Sequence, residues 1–149
     1  MMKIRLILTL IVTLGLSSCG FHTPYKNAPI NAHISSADNN LFTQALVQRF
    51  DENASKKLSI TIGAESTRQQ TSSYTSAGKD GSYTLTLSVP ISIQQRDKVL
   101  FLQTLSASKH ISKMSSSQAD RLQIEQTYTQ LRNNLVKQLL RKLAALNAT

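Results

Sequence analysis

Among the side chains able to do chemistry, Cys19 stands apart by position. It is the single cysteine of the 149-residue chain and closes the run Leu16-Ser17-Ser18-Cys19, ahead of Gly20-Phe21-His22. A lone thiol can be acylated, can pair with a thiol of another molecule, or can sit inert in a core. The remaining reactive groups do not assemble. His22, His33 and His110 are far apart, and the chain has neither a His-Glu-x-x-His nor a Cys-x-x-Cys pattern for a metal. Serines abound without a Gly-x-Ser-x-Gly elbow. The acidic residues Asp38, Asp51, Glu52, Glu65, Asp80, Asp97, Asp120 and Glu125 are placed as caps, turn residues and solvated helix charges. With no nucleophile beside a base, no paired carboxylates and no metal cluster, the sequence is not read as an enzyme, and it calls for no metal or diffusible cofactor.

What precedes Cys19 selects among the uses of its thiol. Lys3 and Arg5 give a cationic start, Leu6 to Leu16 is almost wholly apolar, and Ser17 and Ser18 are small, the pattern of a leader that is removed. The apolar run is shorter than the roughly 20 residues a spanning helix needs. Leu-Ser-Ser-Cys resembles the bacterial lipobox, in which the cysteine receives a diacylglycerol thioether and, after cleavage, an N-acyl chain. Several buried acyl chains, at about 0.8 kcal/mol per methylene, hold a protein at a bilayer in effect permanently. Lipidation of Cys19 is therefore the expected use of the thiol, with a core thiol or an intermolecular disulfide as alternatives. Gly20, in place of aspartate, points to the outer membrane under the sorting scheme that the lipobox implies.

The expected organisation is a signal peptide over 1–18, a lipidated tether over 19–29 containing Pro24 and Pro29, and one domain over 30–149. Removing the leader leaves 131 residues with fifteen basic and eight acidic side chains, a formal +7. That length supports a single core without disulfide or metal staples, and the excess charge calls for an anionic partner. The basic residues are scattered rather than in a block, and the chain has no tryptophan, which speaks against nucleic acid. Anionic lipid or an acidic protein surface remains, beside an ordinary solvated basic surface.

Periodicity supplies the elements that position these residues. Ile30, Ala32 and Ile34 alternate as a short strand. Asp38 is placed to cap a helix from about Asn39 to Asn53, with Leu41, Phe42, Ala45, Leu46 and Phe50 on one face. Leu58, Ile60, Ile62 and Ala64 alternate as a second strand expected to run on toward Thr75, and Gly78 and Gly81 suit a reversal over Ser76 to Ser82. Tyr83, Leu85, Leu87, Val89, Ile91 and Ile93 hold every second place of the clearest strand, in which Pro90 demands an edge or a bulge. A fourth strand spans Val99 to Ile111. The last helix, about Gln118 to Leu146, carries a stripe of Ile124, Tyr128, Leu131, Leu135 and Leu139; it suits docking on a sheet, with a coiled-coil seam as the competing reading. The predicted fold is α+β, a single domain with two helices packed on one face of a four-stranded, mainly antiparallel sheet. The other sheet face, rich in Ser and Thr, is left open.

Cys19-Gly20-Phe21-His22 behind a leader, the strand Tyr83 to Ile93, the Arg96-Asp97 turn and a final helix closing on Gln138-Leu139-Leu140-Arg141-Lys142-Leu143 together resemble the LptE (RlpB) family of lipopolysaccharide-assembly lipoproteins. The resemblance covers nearly the whole mature chain and rests on the order and spacing of elements. After His22, Thr23-Pro24-Tyr25 replaces the Leu- and Arg-rich continuation of the family. The resemblance implies two helices on a four-stranded sheet and a lipid-anchored protein of the Gram-negative outer membrane. It also implies a plug inside the LptD β-barrel that assists barrel assembly and binds lipopolysaccharide on its way to the outer leaflet. From position alone, Lys79 in the central hairpin, Arg96 and Lys98 in the next turn, and Lys109 and Lys113 near the other end are the candidate contacts to lipid A phosphates or the barrel wall; the alternative is that they are solvated turn charges. The Ser76 to Ser82 tip is a further candidate contact to the barrel. The competing functions are an accessory or structural lipoprotein of another envelope assembly machine and a carrier of one lipid in a hollow core, against which the closely spaced aliphatic stripes argue.

Overall fold

The computed structural model describes residues 29–36 and 40–147. Cys19, the leader, the tether up to residue 28 and the expected cap Asp38 lie outside the described residues. The elements are β1 (Asn31–Ser36), α1 (Leu41–Val47), β2 (Lys56–Ile62), β3 (Ser66–Tyr74), β4 (Asp80–Gln95), β5 (Lys98–Ser112) and α2 (Ser117–Asn147). They form one α+β domain. The sheet has five strands in the order β1-β2-β4-β3, with β5 on the opposite side of β4. β1 runs parallel to β2 across the α1 crossover, and every other pairing is antiparallel.

β4 organises the sheet because both of its faces follow the sequence alternation. Leu85, Leu87, Val89, Ile91 and Ile93 are buried under the helices, while Thr84, Thr86, Ser88 and Ser92 face the other way. α2 begins where Ser116 accepts the Asp120 amide at 2.9 Å and the Asp120 carboxylate accepts the Met114 amide at 2.8 Å. Its 31 residues span about 46 Å, close to the length of the β4–β5 hairpin. Leu131, Leu135, Val136, Leu139 and Leu143 of α2 join Phe42 and Leu46 of α1 and the inward residues of β2 and β4 in one core. The last helix is thus docked on the sheet and is not a coiled-coil seam.

Two expectations are corrected. The segment read as one strand from Leu58 toward Thr75 is two strands, which raises the strand count from four to five. The cause is Pro90. Gly63 donates its amide to the Pro90 carbonyl at 2.9 Å, but proline has no N–H to return. The Gly63 carbonyl instead accepts from the Asn40 side-chain amide at 3.3 Å. A Cβ at Gly63 would lie 3.0 Å from the Pro90 Cβ, so the close approach itself needs glycine. Past this gap the register advances by one residue, from Ile62 opposite Ile91 to Ser66 opposite Ser88. That slip places Arg68, opposite Thr86, on the open face.

The first helix is also shorter than expected, Leu41–Val47 rather than about Asn39 to Asn53. Asn40 is its cap, accepting the Thr43 amide at 2.8 Å. Beyond Val47 the chain tightens into bonds three residues back, Arg49 to Leu46 and Phe50 to Val47, and Asp51 gives its amide to Ile30 of the β1 entry. The turn into β2 takes the amides that a longer helix would have used.

Candidate partner-binding surfaces

The open face is a ladder of hydroxyls. Thr86 pairs with Ser108 at 2.8 Å, Ser88 with Ser106 at 2.9 Å, and Ser72 with Thr84 at 2.7 Å. These cross-strand pairs satisfy one another, so the face is polar, with Arg68 as a charged side chain on it. β3 is exposed on both sides except for half-buried Thr71, because no helix reaches it. Among the described residues, no strand lies beside the outer edges of β3 and β5.

The five candidate cations do not form one cluster. Lys79 sits exposed at the β3–β4 tip, where its amide donates to the Thr75 hydroxyl at 3.2 Å. Lys113 returns to the same end, its amide on the Gly81 carbonyl at 2.9 Å. Its ammonium lies 4.0 Å from Asp80 and 5.9 Å from the Tyr83 ring centroid. The neighbouring Tyr83 hydroxyl, with Asp80 and Asp120, holds the Lys113 ammonium above the ordinary lysine range. Lys109, opposite Leu85 in the register, is on the helix side of the sheet and donates to Gln130 of α2 at 2.7 Å. Arg96 and Lys98 lie at the other end of β4, about 50 Å away at strand rise. Arg96 takes a positive φ of 53°, as a two-residue hairpin turn requires.

Sequence reasoning missed two features of charge. Arg132 of α2 makes a bidentate contact with Glu65, Nε to Oε2 at 2.8 Å and Nη2 to Oε1 at 2.5 Å, with both side chains close to nine-tenths buried. Glu65 reaches it only because the strand breaks there, a partnership separated by 67 residues that no local pattern signals. The second feature is Lys142, whose ammonium lies 4.9 Å from the Phe101 ring centroid. The adjacent pair Arg141-Lys142 was its visible trace. Among the described residues no group of three or more His, Cys, Asp or Glu side chains is placed to hold a metal, and no helix is long and apolar enough to cross a membrane.

The described residues thus form a one-sided α+β sandwich, with its core under two helices, an uncovered sheet face and cations at both ends. Residues 29–144 match the LptE family, described as lipopolysaccharide-assembly. The chain belongs to that family, one of assembly lipoproteins and not of enzymes. No curated protein matches the chain. Among solved structures it is similar to the rare lipoprotein B of Shewanella oneidensis, with a TM-score of 0.69 and 15% identity over 78% of this chain and 96% of that one. An uncharacterized lipoprotein B of Nitrosomonas europaea gives 0.64 and 15% over 79% and 84%. A minor lipoprotein of Acinetobacter baumannii gives 0.57 and 16% over 80% and 96%. At these identities the likeness speaks for the fold.

Proposed function

We propose that this chain is lipidated at Cys19, held at the outer membrane, and docked inside an LptD-like β-barrel, where it assists barrel assembly and the delivery of lipopolysaccharide to the outer leaflet. The observation that carries the reading is the bare sheet face. A domain that leaves a mainly polar sheet face with paired hydroxyls uncovered suits a surrounding wall that is itself polar, and the interior of a large membrane barrel is polar. Family membership supplies lipopolysaccharide assembly as the setting. Lys79 and Lys113 at the tip are the proposed contacts to lipid A phosphates, by charge-assisted hydrogen bonds; Lys109, engaged with Gln130, is a weaker candidate, and Arg96 and Lys98 form a separate group.

The deciding experiment is purification of the tagged full-length lipoprotein from outer membranes, with mass identification of what stays bound in detergent. A large β-barrel in about equal amount supports the reading, and the lipoprotein alone overturns it. Lys79→Ala with Lys113→Ala should weaken lipopolysaccharide binding most at low salt; unchanged binding at every salt concentration removes these residues from the site. Deleting residues 76–82 should lower recovery of the barrel, and an unchanged yield returns the tip to an ordinary turn.

A further inference from the structure

The end of the domain at the β4–β5 turn combines three properties found together nowhere else among the described residues. The first is unpaired positive charge. Arg96 and Lys98 flank Asp97, the register of β2 on β4 brings Lys57 alongside, Lys56 pairs with Asn31, and the last turns of α2 add Arg141 and Lys142. All six cations are exposed, and the only ion pairs among the described residues, Lys113 with Asp80 and Arg132 with Glu65, lie elsewhere. Asp97, Asp51 and Glu52 are the acidic side chains at this end, so cations dominate. The second is exposed apolar surface: Val99 is 52% and Leu102 77% exposed on the open side of β5. On the helix side, Phe101, Leu105, Leu139 and Ala145 floor a shallow groove of about 450 Å³ rimmed by Arg141 and Lys142. The third is the chain entry. Exposed Pro29 leads into β1 here, with the Ile30 carbonyl bonded to the Asp51 amide.

Cations interspersed with exposed aliphatic side chains are the surface chemistry of an interface with anionic lipid. The ten Cα–Cα steps from Cys19 to Pro29 reach at most about 35 Å, so this end is the part of the domain closest to an anchor at Cys19. We infer that it seats on the anionic phospholipid headgroups of the leaflet that holds the anchor, with Val99 and Leu102 entering the interface. The inference rests on the proposed lipidation of Cys19 and not on the barrel. A single acyl chain anchors only marginally, and a polybasic surface is the usual second signal; here, with several chains expected, the second signal orients. It turns the β4–β5 end toward the anchor and leaves the Lys79 tip, about 50 Å away at strand rise, at the far end from it.

The test uses the mature chain from residue 19 with Cys19→Ser, so that no acyl chain contributes; the described core, from Ile30 to Leu146, lies wholly within it. Co-sedimentation with phosphatidylcholine vesicles is compared with and without phosphatidylglycerol. Binding is expected only with phosphatidylglycerol, falling with added salt. Arg141→Glu with Lys142→Glu should weaken it at least about tenfold. Arg68→Glu with Arg121→Glu, the same charge change on exposed positions elsewhere, should alter it less than about twofold. Val99→Ser with Leu102→Ser, which leaves charge untouched and changes only exposed side chains, should weaken it about fivefold. Binding without phosphatidylglycerol preference, no binding, or equal losses from the two charge-reversal pairs would overturn the inference. Because the vesicles contain no barrel, these outcomes leave the barrel reading standing, and failure to recover a barrel leaves the vesicle result standing.

Discussion

The two halves of the β4–β5 hairpin share strands, length and alternation, yet one is a packed domain and the other a projection. Around Gln94, both helices, β1 and β2 close over Ile60, Ile62, Ile91 and Ile93, each 1% exposed or less. Around Asp80, the sheet has only β3 beside it and the first turns of α2 above it, where Leu122 is 49% and Met114 45% exposed. Charge divides the same way. The thinly covered end has Asp80 near Lys113, while among the described residues the cations of the well-packed end have no carboxylate partner. Stability is thus concentrated at one end, and the tip is free to be shaped by what it docks against.

The contrast can be broken most sharply in the core. Leu139→Ala should cost about 3–5 kcal/mol, since the side chain is wholly buried and the cavity forms among packed residues. Leu122→Ala, on the same helix but at the thin end, should cost about 0.5 kcal/mol or less. Urea unfolding of both variants decides it, and equal losses would show that the halves are packed alike. The next effect lies at the boundary. Arg132→Leu strands the Glu65 carboxylate and should cost about 3 kcal/mol, whereas adding Glu65→Leu should restore most of it; a double variant as weak as the single would deny that the buried charge is the cause. The smallest sharpens the role of the gap itself. Asn40→Ala removes the α1 cap and the donor to the Gly63 carbonyl together, and should cost about 1–2 kcal/mol, read from the thermal midpoint. A loss no larger than that of Thr43→Ala, which leaves the Gly63 bond in place, would mean that the bond across the gap contributes little.

Most of the fold was legible because its alternation and helical stripes are long. β4 and α2 are the clearest cases: the strand expected from Tyr83 to Ile93 and the helix expected from about Gln118 to Leu146 both extend by only a few residues. The break between β2 and β3 was not legible, although Pro90 signalled an irregularity. A missing donor on one strand does not say which residue opposite will lack its partner. The helix α1 was overextended because Phe50 fits the apolar period, while the competing bond from Asp51 to Ile30 is tertiary. Lys79, Arg96, Lys98 and Lys113 lie at the ends of the β4 hairpins, whereas Lys109 falls on the helix side because its face follows from pairing with Leu85.

The sequence by itself determined the alternation of β4, the apolar stripe of α2, the hairpin reversals and the single thiol behind an apolar run, because each depends on residues near one another along the chain. Only the tertiary structure decided that Gly63 would face Pro90, that the register would slip by one and turn Arg68 outward, that Glu65 would meet Arg132, and that Lys109 would lie on the helix side beside Gln130. Those outcomes depend on which strands lie side by side, and strand pairing is chosen by burial of the whole core rather than by any local run of residues.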